Sequence, residues 1–334
     1  MTAEHPFAAY VRILGRGKTL SRSLTIEEAE AAMAMILRGE VRAEQLGAFL
    51  MLLRVKEETP EEIAGFVLGA RATFDLPAAL PAVDLDWSSY AGKRRQLPWF
   101  LLAALTLAQD GLRIFMHGTE GHTPGRLYAR ATLEALGLPV AATLAEAARQ
   151  LESEGFAYLP LEGMSPRLYE IIQLRLVLGL RSPVHTMARM LNPFAAPYLL
   201  QGIFHPSYMA IHQGAAKLLG QPHMAVFRGE GGEIERRPNK PCKVLSVESG
   251  VLGAQDWPPM LSSSRQPHDE DMDIGRLVGL WRGEIADDYA TAAVTGTLAI
   301  ALKTLGRAGD LDAAQALAET LWAARDRERL KAAA

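Results

Sequence analysis

The chain has 334 residues, 49% hydrophobic and 22% charged, with its 29 glycines and 19 prolines scattered, which excludes disordered, fibrous and low-complexity classes. One cysteine, Cys242, excludes an internal disulfide and a cysteine-based zinc site, and no uncharged apolar run reaches the ~20 residues of a membrane span, so a soluble cytoplasmic protein without a membrane partner is expected. The net charge of −3 is unevenly divided: residues 85–130 carry +3 and 163–243 carry +6, while 1–84, 131–162 and 244–334 carry −3, −4 and −5. A basic middle in an acidic chain suits an anionic partner; the alternative is charge dispersed over the folded surface.

In chain order, Thr25 with Glu28 has capping-box spacing before AEAAMAMIL, which is apolar at helical intervals and ends at Gly39. AEQLGAFLMLLRV reads as a second helix. Thr59, Pro60 and Glu62 supply a cap, a first-turn proline and a box glutamate for EEIAGFVLGARATF, completing a three-helix unit. After Pro77 the pattern changes: VDLDW, LRIFMHG, FAYLPL, MAVFRG and KVLSVE read as strands, with a further short candidate after Pro139. LLAALTLAQDG, RLYARATLEALG, TLAEAARQLESEG and HPSYMAIHQGAAKLLG read as helices among them, arguing for a mainly parallel sheet with helical crossovers. SPRLYEIIQLRLVLGLRSPVHTMARMLNPF is a helical return of about 30 residues, and α/β alternation resumes at 203. QDWPPMLSSSRQPHDEDMD reads as a loop, and YATAAVTGTLAIALKTLG and LDAAQALAETLWAARDRERL as two closing helices. This order suggests a small all-helical domain, 1–73 plus 165–195, beside a larger α/β domain, 74–164 plus 196–334.

Several simple motif matches fail. Gly17-Lys18-Thr19 has the end of a P-loop, but Arg12 stands where its first glycine is required and no strand precedes it. No G-x-S-x-G elbow and no H-E-x-x-H occur, and His117, His122, His185 and His223 read as turn or core histidines. Three turns carry possible chemistry. Ser88-Ser89-Tyr90-Ala91-Gly92-Lys93-Arg94-Arg95-Gln96 follows a strand and offers backbone N–H groups with three adjacent cations, either a phosphate cradle or a solvated loop. Met116-His117-Gly118-Thr119-Glu120-Gly121 follows a buried strand, on the carboxyl edge where open α/β sheets bind ligands. Residues 228–237, RGEGGEIERR, offer carboxylates suited to Mg²⁺ and, counting Lys240, four basic groups suited to a polyanion.

With LRVKEETPEEIAGF, VDLD, MHG and LRLVLGLRS…LNPF in this order, the chain resembles anthranilate phosphoribosyltransferase and its nucleoside-phosphorylase-type relatives over nearly its whole length. The resemblance implies a class-IV phosphoribosyltransferase architecture, a homodimer held by the small helical domain, a cleft between the domains, and Arg175 at the substrate-contacting arginine. The phosphate motifs depart from that family. SSYAGKRR, with one glycine and a bulky tyrosine, replaces G-T-G-G-D, whose bare glycine backbone approaches pyrophosphate closely. Leu97-Pro98-Trp99-Phe100 replaces Asn-x-Ser-Thr, Met116-His117-Gly118-Thr119-Glu120 replaces K-H-G-N-R, and Glu233-Ile234 replaces the Mg²⁺-binding Asp-Glu pair.

SYAGKRRQ-x-PW with MHG is instead similar to the divergent YbiB-type subfamily, which implies nucleic-acid binding through a basic inter-domain groove. DNA or RNA is then the expected partner of a homodimer, held by Ser88, Ser89, Gly92, Lys93, Arg94, Arg95, His117, Gly118, Arg175, Arg181, Arg228, Arg236, Arg237 and Lys240. Such binding is strongly salt-dependent and weakly sequence-specific. Tyr90 and Trp99 are candidates for stacking on bases, with core packing the favoured place for Trp99. The alternative is a Mg²⁺-dependent phosphoribosyl or glycosyl transferase with an acceptor other than anthranilate, its metal on Glu233 or Glu235 and its catalytic candidates His117 and Arg175. As a binding protein it requires no cofactor. A third possibility is an interaction module in which the cleft is vestigial.

Overall fold

The computed structural model describes residues 4–263, 265–269 and 271–330. Four helices open the chain: α1 (Ala8–Gly15), α2 (Ile26–Leu37), α3 (Ala43–Lys56) and α4 (Pro60–Arg71). α1 is an addition to the expected three, because charges interrupt its apolar pattern, yet Leu14 is buried. Both capping boxes form. Glu28 N donates to Thr25 Oγ1 at 3.2 Å and Glu62 N to Thr59 Oγ1 at 3.3 Å, each glutamate accepting from the cap N–H at 2.9 Å. Close packing of α4 on α2 needs small residues: a Cβ at Gly65 or Gly69 would lie 2.3 Å from Ile26 O or 2.5 Å from Glu30 O.

The α/β part runs β1 (Leu85–Ser89), α5 (Phe100–Gln109), β2 (Ile114–Gly118), α6 (Ala129–Ala135), α7 (Leu144–Glu154) and β3 (Phe156–Pro160). Four short helices follow: α8 (Leu161–Met164), α9 (Pro166–Gln173), α10 (Arg175–Leu178) and α11 (Val184–Met187). The expected 30-residue return is thus broken, since Gly179 caps α10 at φ 72° and Pro183 interrupts the next turn. Then come β4 (Tyr198–Ile203), α12 (Met209–Leu218), β5 (His223–Arg228), β6 (Cys242–Glu248), β7 (Val251–Trp257), α13 (Gly275–Arg282), α14 (Asp288–Thr304) and α15 (Leu311–Ala323).

The strands form one sheet in the order β3-β2-β1-β4-β5-β6-β7, parallel from β3 to β5 and antiparallel at β6 and β7. Two of its strands went unread in the sequence. β4 lies between the helical run and Phe204, just after Pro197, and β7 is a largely exposed edge strand without clean alternation, joined to β6 through Ser249 and Gly250 at φ 50° and 82°. The candidate after Pro139 is not a strand; only Ala141 N reaches Tyr158 O there, at 2.8 Å.

Apolar side chains cover both faces of the sheet. On one, residues from the N-terminal helices, α7, α9 and α12 share a core; on the other, α5, α13, α14 and α15 do. The 181–195 segment reaches α4 and the turn before it: Arg71 Nε donates to Leu191 O at 2.7 Å and Thr186 Oγ1 to Glu58 Oε1 at 2.7 Å. The carboxyl ends of β1, β2, β4 and β5, with residues 229–237, meet this segment at one edge, the ligand edge of an open α/β sheet.

Candidate functional site

The turn after β1 presents backbone N–H groups, and their partner is the chain itself. Ala91 N and Gly92 N both donate to Glu233 Oε1 at 2.6 Å, so a carboxylate sits where such a turn would hold an anionic ligand. Gly92 has φ +68° and faces the Tyr128 ring. Glu233 is held in place from behind, because Cβ atoms at Gly202 and Gly229 would lie 2.1 and 1.6 Å from its carbonyl oxygen. Next to it, Lys93 Nζ pairs with Glu235 Oε1, and Glu235 Oε2 accepts from Phe100 N at 2.9 Å at the start of α5. Burial pushes the Glu235 carboxyl up to about 7 against the pull of Lys93.

His117 sits at the end of β2 with no exposed surface, between Tyr90 Oη at 2.8 Å from Nδ1 and Asp86 Oδ1 at 3.2 Å from Nε2. It ties β1 to β2 inside the protein. Gly118 is pressed against Ser89 O, which a Cβ would approach to 2.0 Å, and Ser88 and Ser89 are buried too. These residues, expected on a ligand surface, line the interior instead. Tyr90 is 2% exposed and Trp99 1%, so Tyr90 presents no face to a base, while Trp99 packs in the core.

The cations divide into groups. Lys93 is spent on Glu235. Arg236 is buried, its guanidinium 5.0 Å from the Trp257 ring centroid and Nη2 bonded to Pro258 O at 2.5 Å. Both have one cause: residues 233–236 are buried. Arg175 is half-buried and tied to His122 O at 2.9 Å and to Thr123 Oγ1. Arg94, Arg95 and Arg228 are exposed, and Arg181, Arg237 and Lys240 half-buried, none of these six in an ion pair among the described residues. The expected groove therefore lacks Lys93 and Arg236, and Arg175 enters it already bonded to backbone.

Three arginines join the site that the sequence did not single out. Arg126 Nη1 donates to Ala91 O at 2.7 Å, Arg189 Nη1 to Gly232 O at 3.2 Å, and Arg54 Nη1 to Tyr208 Oη at 3.0 Å. Arg54, Arg181 and Arg189 line a cavity of about 150 Å³ with His185, Phe204 and Tyr208. Burial, then Arg175, Arg189 and Arg126, push Arg181 down to about 10. Burial likewise lowers His122 to about 4 and His185 well below the usual range, so both rings, 5.3 Å apart, are neutral. The available signal for Arg189 was a lone cation in the apolar run TMARML.

Comparison with known proteins agrees with this fold. Residues 9–73 match the helical bundle domain of the glycosyl transferase family. The chain superposes on anthranilate phosphoribosyltransferase from Thermus thermophilus with a TM-score of 0.79 at 23% identity, covering 96% of this chain and 95% of that one. The chain has the anthranilate phosphoribosyltransferase fold. A second structure with this fold, the Saccharomyces cerevisiae enzyme in complex with PRPP and Mg, gives a TM-score of 0.79 at 15% identity, covering 98% and 96%. Among curated relatives, anthranilate phosphoribosyltransferase of Desulfitobacterium hafniense (strain DSM 10664 / DCB-2) is 30% identical over 65% of this chain, the match spanning only 64% of that enzyme. An uncharacterized protein of Aquifex aeolicus is 30% identical over 81% of this chain and 86% of its own length.

Both oxygens of Glu235 have partners, and Glu233 keeps only Oε2 free. No group of three or more histidine, cysteine or acidic side chains suited to a metal occurs among the described residues. Glu233 Oε2 is thus the one oxygen of this acidic pair left for a divalent cation, and Mg²⁺ ordinarily takes one or two carboxylates alongside waters and phosphate. No helix among the described residues is long and apolar enough to cross a membrane.

Proposed function

We propose that the chain is a cytoplasmic, nucleic-acid-binding homodimer built on a transferase fold whose diphosphate turn is closed by its own carboxylate. The observation that carries this reading is the Glu233 carboxylate on the Ala91 and Gly92 amides. With those donors and Lys93 satisfied internally, the positive charge left open is Arg94, Arg95, Arg181, Arg228, Arg237 and Lys240. Arg228 lies over Phe204, 6.0 Å from its centroid, and Phe204 lines the cavity with Arg181; burial and Arg228 both lower Arg237. These four residues therefore connect the cavity to the rim. Guanidiniums on such a rim suit a phosphodiester backbone, whose charges are spaced along a chain rather than concentrated in one diphosphate.

The rival is a transferase acting on a phosphorylated ribose, favoured by the yeast relative bound to PRPP and Mg. It requires Glu233 to leave the turn. Fluorescence anisotropy with labelled single- and double-stranded DNA and RNA tests the first reading. With six phosphates neutralised per protomer, duplex affinity is expected to fall about a thousandfold between ~50 and ~200 mM salt. Arg94→Ala/Arg95→Ala brings that ratio to about a hundredfold. Absence of binding at the lower salt removes the reading. Light scattering at twice the chain mass tests the homodimer, and a monomer removes that part.

A further inference from the structure

The cavity beside Phe204 holds buried polar atoms for which the protein supplies no partner. Glu58 and Ser182 both line it at 5% and 6% exposure, and Glu58 Oε2 and Ser182 Oγ are unsatisfied; so is His185 Nε2. Few buried polar groups in native structures lack a partner, and these three belong to residues that line one cavity, each atom with almost no surface of its own on it. Their chemistry is defined. His185 Nδ1 faces Ser182 O at 3.2 Å, which makes Nδ1 the protonated nitrogen of this neutral ring and leaves Nε2 a bare acceptor. Glu58 Oε1 already accepts from Thr186, so Oε2 is a second acceptor, and Ser182 Oγ can donate.

Arg54, Arg181 and Arg189 line the same cavity, Arg54 bonded to Tyr208 Oη and Arg189 to Gly232 O. Arg181 makes no hydrogen bond or ion pair among the described residues; Arg175, Arg189 and Arg126 press on it, and Glu58 lines the same cavity. A cation in that position is poised for an anion carrying more than one charge. A phosphomonoester, near −2 at neutral pH, meets that demand better than the single charge of an internal phosphodiester.

Size and rim narrow the choice. At about 150 Å³ the cavity admits a group the size of benzene, enough for a phosphate and the first sugar atoms but not for a continuing strand. At the mouth, Phe204 is 47% exposed, with the His205 ring edge-on at 4.8 Å and Arg228 above it. An exposed aromatic ring flanked by arginine is a stacking platform for one unpaired base. We infer that this cavity captures the terminal phosphomonoester of a nucleic-acid strand on Arg181 and Ser182, with the terminal base on Phe204. Arg228, Arg237 and Lys240 then carry the following phosphates. This rests on the nucleic-acid reading above and adds recognition of strand ends.

The test compares one labelled single strand in 5′-phosphorylated, 3′-phosphorylated and doubly hydroxyl-ended forms, titrated against the full chain at ~50 mM salt. One phosphorylated form is expected to bind at least about tenfold tighter than the hydroxyl-ended strand, or about 1.4 kcal/mol. Arg181→Gln and Ser182→Ala, each melting like the wild type, are expected to collapse that ratio toward one. Equal affinity for all three forms overturns the end-recognition proposal and leaves nucleic-acid binding standing. No binding of any form overturns both. If inorganic phosphate or a mononucleotide binds with the same Arg181 dependence and tightness as the phosphorylated strand, the cavity takes free phosphomonoesters, and the strand-end assignment is wrong.

Discussion

Replacing Lys93 with alanine separates the structural cations of this edge from those free to bind. Lys93 is 1% exposed and its ammonium meets Glu235, which is fully buried. Removing one member of a buried pair strands the other in a low dielectric and costs about 3–5 kcal/mol. Protonation of Glu235 relieves part of that cost, because burial already holds the carboxyl near 7 with Lys93 present, and losing the cation raises it further. The raised value means that the folded state holds a proton the unfolded chain releases near 4.5, so the variant is weakest where Glu235 must ionise. Urea denaturation of Lys93→Ala is therefore expected to show the full loss near about pH 8 and a smaller one near about pH 6. Arg94→Ala/Arg95→Ala, at exposed positions, is expected to stay within about 0.5 kcal/mol of wild type at both pH values. A Lys93→Ala protein as stable as wild type at the higher pH would refute the buried-pair reasoning.

Other outcomes follow from the same geometry. Gly202→Ala places a Cβ 2.1 Å from Glu233 O, so a loss of about 1–3 kcal/mol in urea midpoint experiments is expected; an unchanged midpoint contradicts the backbone wedge. Glu233→Ala leaves the Ala91 and Gly92 amides without an acceptor, at about 1–3 kcal/mol each, and added pyrophosphate is expected to raise its Tm by at least about 2 °C while leaving wild type unmoved. Equal pyrophosphate effects on both proteins would refute the capped turn. Burial lowers His212 to about 3 and His122 to about 4, so the unfolded state takes up the protons first and stability, complete above about pH 6.5, falls as pH drops. His212→Gln is expected to flatten that slope, by up to about 1.4 kcal/mol per pH unit; an unchanged slope argues against a neutral, buried His212.

Much of the fold was legible because its signals are local. Thr25/Glu28 and Thr59/Glu62 mark helix starts in the sequence and form both boxes, and LRIFMHG and FAYLPL are apolar runs that become buried parallel strands. β4 and β7 were hidden for different reasons: one abuts the helical run, the other is an exposed edge strand. The site was only half legible. Sequence placed acidic and basic groups of 228–240 beside the SSYAGKRR turn, but not which of them turn inward. Whether Lys93 faces solvent depends on Glu235, 142 positions away, and no periodicity reports such a pairing. Arg54, Arg126 and Arg189 escaped because each belongs to an ordinary segment and becomes part of the site only when α3, the 118–128 loop and the 181–195 segment meet.

Calorimetric titration of the full chain with phosphoribosyl diphosphate and Mg²⁺ asks most directly whether the turn after β1 is already filled. With Glu233 on its amides and Lys93 held by Glu235, no saturable heat is expected in the micromolar range. Saturable, Mg²⁺-dependent heat from the wild-type protein would contradict the closed turn and return the site to transferase chemistry.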